Sequence, residues 1–365
     1  MENKFNLEEY LNNGVENIIK GIVKASLSNP RESIFISKYI ISSQKLKSIR
    51  KKLKNEGEHI PPFLIASITS KCNLHCRGCY ARVNNCCHDE IKSDEMNAKQ
   101  WFDIFTQAKD IGIGFILLAG GEPLIRKDII NEAAKFPQIL FPIFTNGTMI
   151  DEEYINKFMI NPNLIPILSL EGKKIKTNKR RGEGVYENLI EKMSELKEHK
   201  ILYGVSITVT NENLKEVTSY DFITQLYILG CKAIVYVEYV PIKKGDENLV
   251  ICDEQRNYLR DEINRYRSIY EDMIIISFPG DEKSSGGCLA AGRGFFHINY
   301  SGGVEPCPFS PFSDTSLKEK TLIEALKSPL FKKLNNDKVL EGEHIGGCVL
   351  FEREEQVKKL LKYNE

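Results

Sequence analysis

The first thing this sequence lacks is net charge. Fifty Lys and Arg offset fifty Asp and Glu over 365 residues, which leaves no global field to draw in nucleic acid or an anionic membrane surface. Long hydrophobic runs are also missing. The longest apolar stretches, such as Phe115–Ala119, are strand-sized, whereas a bilayer span needs roughly 20 residues. The N-terminus is polar, without the apolar core of a signal peptide. These deficits lead us to expect a cytoplasmic protein with no membrane span and no nucleic-acid partner, acting on a peptide, protein or small molecule. The length allows one core of about 200–250 residues plus a smaller appendage.

Cysteine is present in quantity, with ten in the chain. Reducing compartments keep thiols free, so a disulfide framework is excluded and metal ligation or catalysis is the better use. Five cysteines lie between positions 72 and 87, Cys288, Cys307 and Cys348 sit in a Gly-rich C-terminal region, and Cys231 and Cys252 stand apart.

Residues 1–58 carry helical spacing and basic stretches such as Lys45–Lys54, and Pro61-Pro62 stops any helix soon after. They read as a helical N-terminal extension whose charge run is a solvated face. From residue 59 short apolar runs alternate with amphipathic segments. Six strands are expected, at Phe63–Thr69, Phe115–Ala119, Phe141–Thr145, Ile165–Leu170, Leu202–Thr208 and Ala233–Tyr239. Several are apolar at nearly every position, as strands covered on both faces are. Repeated βα units imply a parallel sheet with right-handed crossovers. Six units are too few to close an eightfold barrel, so the expected fold is α/β, a partial (β/α)6 TIM-type barrel over residues 59–270. The repeat lapses after Tyr239 into a charged helix near Glu254–Tyr270. A Gly-, Pro- and Cys-rich segment then runs from Pro279 to Phe312, suited to a small metal-stabilised domain over 271–365 that closes with helices at Leu317–Leu334 and Arg353–Tyr363.

Ser70-Lys71-Cys72-Asn73-Leu74-His75-Cys76-Arg77-Gly78-Cys79-Tyr80 follows the first expected strand directly. Three thiolates within eight residues can each take one corner of a cubane cluster, because thiolate is the soft ligand such clusters need. The fourth iron is then left without a protein ligand, an open position of the kind that separates catalytic from structural zinc sites. The Cys-x3-Cys-x2-Cys spacing, with an aromatic at Tyr80, resembles the signature of the radical S-adenosylmethionine (SAM) superfamily. That resemblance implies a 4Fe–4S cluster on Cys72, Cys76 and Cys79 whose open iron is chelated by the amino and carboxylate groups of SAM. It also implies reductive cleavage of SAM to methionine and a 5′-deoxyadenosyl radical. A zinc knuckle using these cysteines with His75, Cys86, Cys87 or His88 is the alternative.

Gly120-Gly121-Glu122-Pro123 comes straight after the second expected strand. Glycines there let backbone carbonyls approach a ligand, and the proline ends strand pairing. In the superfamily the corresponding turn binds the SAM amino group, which assigns Gly120, Gly121, Glu122 and Pro123 to the cofactor. Further matches fall at strand ends, where barrel enzymes keep their chemistry. Thr145-Asn146-Gly147 brings Asn146 near the cofactor, and Ser169-Leu170-Glu171-Gly172 resembles the superfamily's Ser-Leu-Asp-Gly with Glu in place of Asp. Arg181-Gly182-Glu183-Gly184-Val185-Tyr186 resembles an Arg-Gly-x-Gly-x-Phe turn whose Arg pairs with the SAM carboxylate, a task suited to a guanidinium fork. Arg180 is the neighbour that could exchange roles with it. Ser206 and Thr208 could face the lumen near the ribose, and Tyr80, Ser169 and Ser206 complete the implied cofactor set. The resemblance spans roughly residues 60–240.

Farther on, Cys288 leads into a hairpin-like stretch that ends at Pro306-Cys307-Pro308, and Cys348 follows forty residues later. This arrangement resembles the C-terminal extension called SPASM, or its shorter twitch form, which holds auxiliary iron–sulfur clusters. The tight Cys-x2-Cys-x5-Cys run of the full SPASM pattern is missing, so one auxiliary 4Fe–4S cluster on Cys288, Cys307 and Cys348 is implied. Its last iron is left open or held by a further group, Cys252 being one choice. Cys86 and Cys87 are either loop thiols near the first cluster or a reactive or metal-binding pair.

What the resemblance implies for function is hydrogen abstraction from a substrate, leading to oxidative or cross-linking modification of a peptide or protein. The runner-up is maturation of a small-molecule cofactor or metabolite bound at the auxiliary cluster. A low-potential donor such as ferredoxin or flavodoxin would supply the electron. A non-enzymatic iron–sulfur or zinc protein is the third reading, and it would make no 5′-deoxyadenosine.

Overall fold

The computed structural model describes residues 30–243, 245–279, 287–337, 339–340 and 348–362. The first half of the N-terminal extension (residues 1–29), Gly286, and Gly346 and Gly347 before Cys348 lie outside the described residues.

All six expected strands form, as β1 (Phe63–Ser67), β2 (Phe115–Ala119), β3 (Phe141–Thr145), β4 (Leu164–Ser169), β5 (Gly204–Val209) and β6 (Ala233–Glu238). They pair in chain order and in parallel. Each crossover carries a helix, for example Ala98–Asp110 between β1 and β2, started by an Asn97 capping box. The sheet curls into a partial TIM-type barrel, as the sequence predicts.

Two features extend it. A seventh parallel strand, β7 (Ile274–Phe278), pairs with β6, so the repeat does not lapse after Tyr239 as the sequence suggests. The charged helix Asp253–Ile269 is its crossover. At the other edge the C-terminal hairpin, β8 (His297–Ile298) with β9 (Val304–Glu305), adds to the same sheet, β8 lying parallel to β1. The cysteine-rich segment is therefore hydrogen-bonded to the barrel's first strand.

Alternation along the strands defines the two faces. Ile116 and Leu118 of β2 and Phe141 and Ile143 of β3 are fully buried under the crossover helices, with Phe141 packed 5.1 Å from Phe105. Phe115, Leu117 and Ala119 alternate with them and are half-buried on the concave face. The helix Pro30–Asn55 closes the amino-terminal mouth of this lumen. Its Ile36 and Tyr39 pack on Leu140, Ile165 and Ile167, with Phe115, Phe144, Leu202 and Ile274 around them. Tyr39 Oη donates to the Gly114 carbonyl at 2.9 Å. The lysines of the basic run project into solvent. No helix among the described residues is long and apolar enough to cross a membrane.

Candidate active site

At the carboxyl end of the sheet the chain leaves β1 through Thr69, Ser70 and Lys71, and three segments grip it before Cys72. Gly121 N donates to Thr69 O at 2.9 Å and Glu122 N to Lys71 O at 2.8 Å. Glu95, whose side chain is 2% exposed, accepts from Ser70 N and Ser70 Oγ at 2.7 Å and pairs with Arg126 at 3.1 Å. Lys71 forms an isolated parallel bridge with His88, so that Cys72 N donates to His88 O at 2.9 Å and His88 N to Ser70 O at 2.7 Å. The base of the cysteine loop is thus fixed by backbone pairing. No sequence signal marked Glu95, one of four carboxylates in the polar stretch from Asp89 to Glu95.

The Gly-Gly turn is required by this packing. A Cβ on Gly120 would lie 2.3 Å from Thr69 O, and one on Gly121 would lie 2.1 Å from Lys71 O. Glu122, placed at the SAM amino group by resemblance, is 1% exposed and its carboxylate is already engaged. It accepts from Thr145 Oγ1 at 2.7 Å, Asn146 N at 2.8 Å and Leu124 N at 3.1 Å. Burial pushes this carboxyl above its ordinary range, and those hydrogen bonds oppose the shift. Glu122 therefore joins the turns after β2 and β3, and Pro123 starts a short helical turn beyond it. Asn146 extends the tie to the cysteine loop, its Nδ2 donating to Asn73 Oδ1 at 2.9 Å.

Arg181 stands over the loop, with Nη1 3.8 Å from Cys76 Sγ and Nη2 donating to Glu171 Oε1 at 2.5 Å. Arg180 pairs with the same oxygen at 3.3 Å, and its carbonyl accepts from Arg77 N at 2.8 Å. Glu171 Oε2 accepts from Thr208 N at 3.2 Å. The residue that departs from the superfamily's Asp is thus the clamp that orients both arginines. Burial works against the Arg181 charge, but Glu171 and Cys76 beside it hold its pKa above the ordinary value. On the adjacent strands Ser169 and Ser206 meet at 3.5 Å between their hydroxyls.

The thiols are not equivalent. A hydrogen bond from Cys87 outweighs burial and lowers both Cys72 and Cys79, Cys79 to about 6. Cys87, in hydrogen-bonding contact with both, is raised by those same contacts. Burial raises Cys76, against the pull of Arg181. Cys87 is therefore the member of the unexplained pair that touches the signature cysteines. Cys86 lies apart, its thiol pushed up to about 11 by burial and by Glu305.

The two cysteine sets approach one another through Tyr80, whose ring packs 4.8 Å from Phe309. Burial raises its phenol, and Cys79, Cys307, Cys86 and Cys87 around it add to the shift. Cys288 and Cys307 are buried, Cys348 is half-buried beside the same core, and Cys252 is exposed at the start of the helix Asp253–Ile269. A buried network missed by sequence reading fastens the hairpin. His297 Nε2 meets Ser67 Oγ at 2.7 Å, His297 Nδ1 meets Glu305 Oε2 at 2.7 Å, and Asn299 Nδ2 donates to Glu305 Oε1 at 2.6 Å.

The donor chemistry fits an iron–sulfur cluster with SAM. Three thiols share one half-exposed loop, two of them lowered, with two arginines at hand to balance thiolate charge. Arg181 Nε is buried without a hydrogen-bond partner, a donor left over for an anion. Among the described residues, no three His, Cys, Asp or Glu side chains form a single-ion cage.

Residues 66–223 match the model of the radical SAM superfamily. The chain carries a radical SAM domain. The AdoMet-dependent heme synthase of Methanosarcina barkeri is 27% identical to it over 318 residues, covering 77% of this chain and 87% of that one. The PqqA peptide cyclase of Rhizobium meliloti is 25% identical over 262 residues, 68% of each. Among solved structures, Streptococcus suis SuiB bound to the precursor peptide SuiA superposes with a TM-score of 0.65 at 19% identity, covering 85% of this chain and 73% of that one. That likeness is one of fold. The radical SAM match begins inside β1 and ends within the helix after β5, so it encloses the cysteine loop, the Gly-Gly turn and Arg181.

Proposed function

We propose that this enzyme reductively cleaves SAM and uses the resulting radical to take a hydrogen atom from a substrate held in the barrel lumen. The observation that carries this reading is the convergence of Cys72, Cys76 and Cys79 with Arg181 and the Gly-Gly turn at one end of the sheet. A 4Fe–4S cluster held by those cysteines supplies a low-potential electron and an open coordination position. The chain's own residues then bind and orient. Arg181 holds the SAM carboxylate through its guanidinium fork, and Glu171 keeps that fork in place. The Gly120–Pro123 turn and Asn146 fix the loop against which the amino group rests, while Ser169 and Ser206 line the ribose side. The half-buried apolar side chains of β2, β6 and β7 keep water from the reacting carbon.

Anaerobically reconstituted protein should form 5′-deoxyadenosine from SAM under dithionite. Replacing Cys72, Cys76 and Cys79 together by Ala should remove one cluster's iron and all cleavage. Full cleavage by that variant would sink the assignment.

For the substrate, the reading we favour is oxidative or cross-linking modification of a peptide or protein in the cytoplasm, driven by a ferredoxin or flavodoxin. Sequence similarity to a peptide cyclase supports it, as does a fold shared with an enzyme that binds a precursor peptide. A small-molecule substrate is the second reading, favoured by the heme synthase, whose similarity runs through most of both chains. Short peptides encoded beside the gene and iron porphyrins should be assayed in parallel. The class that raises 5′-deoxyadenosine above the substrate-free rate, with a mass change in the substrate, decides between them.

A further inference from the structure

The electron that starts the reaction must enter from outside, and the surface next to Cys76 carries a basic run that only the distant stretch Lys45–Lys54 matches in charge. The chain as a whole is neutral, yet residues 173–181 read Lys-Lys-Ile-Lys-Thr-Asn-Lys-Arg-Arg, six cations and no carboxylate. The helix Lys174–Arg181 ends against the cysteine loop, where Arg77 N bonds to Arg180 O.

The charges there divide into those already balanced and those left over. Arg180 and Arg181 are inside, on Glu171. Lys174 pairs with Glu187 at 2.5 Å and Lys179 with Glu212 at 2.7 Å. Glu216 accepts from the Lys173 backbone N–H and not from its ammonium, and Asp246 is bonded to Tyr239 Oη. Arg77, Lys173 and Lys176 form no side-chain ion pair among the described residues. Glu212 is held below its ordinary range first by its hydrogen bond to Lys179, then, against a small effect of burial, by the charges of Lys179, Lys176 and Arg77. One carboxylate, Glu212, is thus felt by three cations, and with Glu187, Glu216 and Asp246 counted, the five cations Arg77, Lys173, Lys174, Lys176 and Lys179 leave the rim positive by one. At its centre Ile175 is 79% exposed, an apolar contact point ringed by lysines.

We propose that Arg77, Lys173, Ile175 and Lys176 form the docking surface for a small, acidic, low-potential electron-transfer protein, which delivers its electron through the loop carrying Cys76. The inference rests on the proposed SAM-cleaving function, because only a cluster at that loop gives the electron a destination. Complementary charge speeds encounter and makes it depend on salt, while such redox interfaces stay small and transient. In each turnover the donor's reduced flavin gives up one electron. SAM receives it as the carbon–sulfur bond breaks, methionine keeping the sulfur lone pair and the 5′ carbon the unpaired electron.

The test compares wild type with Lys173→Glu/Lys176→Glu, and with Lys52→Glu/Lys54→Glu on the distant N-terminal helix. The probe is recombinant flavodoxin, reduced enzymatically. At low ionic strength flavodoxin-driven 5′-deoxyadenosine formation should fall about tenfold or more in the first variant and stay unchanged in the second. Dithionite-driven cleavage should be equal in all three. Flavodoxin binding, followed by fluorescence anisotropy, should weaken with salt in wild type and lose that dependence in the first variant. Equal flavodoxin-driven rates and equal binding in all three proteins would overturn the docking surface. Loss of dithionite-driven cleavage in wild type would instead overturn the SAM-cleaving function, and the binding measurement would still judge the surface.

Discussion

At the scale of single residues, Glu171 does the most to order the site, because its one carboxylate faces both Arg180 and Arg181 above the cysteine loop. Cys72, Cys76, Cys79 and Arg181 announce themselves by spacing, because their partners are close in sequence or belong to a known turn. Glu95 acts through partners that only folding brings near, so no local pattern marks it, whereas Glu171 and Cys87 stood out in the sequence without showing which groups they would meet. Glu122 is the instructive case, since its turn was recognised but the hydrogen bonds that tie its carboxylate to Thr145 and Asn146 were not. Arg181→Ala should weaken SAM binding by about 1.5–3 kcal/mol, roughly ten- to a hundredfold, the cost of a lost charge-assisted pair. Isothermal titration of cluster-loaded protein measures this, with iron content unchanged. An intact affinity in Arg181→Ala with a loss in Arg180→Ala would reassign the carboxylate to Arg180. Glu171→Gln, which removes the single negative charge facing two arginines, should lower affinity less than Arg181→Ala does, since the fork itself remains.

At the scale of elements, the six βα units were readable because strands covered by helices are almost wholly apolar, as Leu164–Ser169 is. β7 was missed because the long charged helix before it broke the spacing of the repeat. The two-residue strands β8 and β9 are too short to show a period, although the hairpin's turn residues gave it away. The Gly-Gly turn yields the sharpest prediction here. Gly121→Ala puts a methyl group 2.1 Å from Lys71 O, a backbone atom that cannot step aside, so the loop must shift and reconstituted iron should drop. Gly184→Ala is the control. Its Cβ would enter open space at φ +82°, costing about 1–2 kcal/mol of backbone strain and leaving iron intact by colorimetric assay.

At the scale of the whole molecule, the sequence divides barrel from C-terminal region, whereas the structure runs one sheet through both. A Gly-rich, Cys-rich composition announced a small unit but carried no information about which edge it would join. Ser67, His297 and Glu305 make that joint, and leaving one buried hydrogen-bonding group of such a network without its partner costs about 1–3 kcal/mol. We expect the Ala variant of Cys288, Cys307 and Cys348 to lose roughly four irons, the content of one cubane, while the Cys72–Cys79 site still cleaves SAM without substrate turnover. Iron analysis beside 5′-deoxyadenosine yield checks this, and unchanged iron would make the three cysteines structural thiols. The helix that fills the amino-terminal mouth has a consequence for traffic. With Tyr39 and Ile36 seated across that opening, the lumen is a cul-de-sac. Anything that enters from the carboxyl ends of the strands therefore meets a packed floor of Ile36 and Tyr39 instead of a through channel.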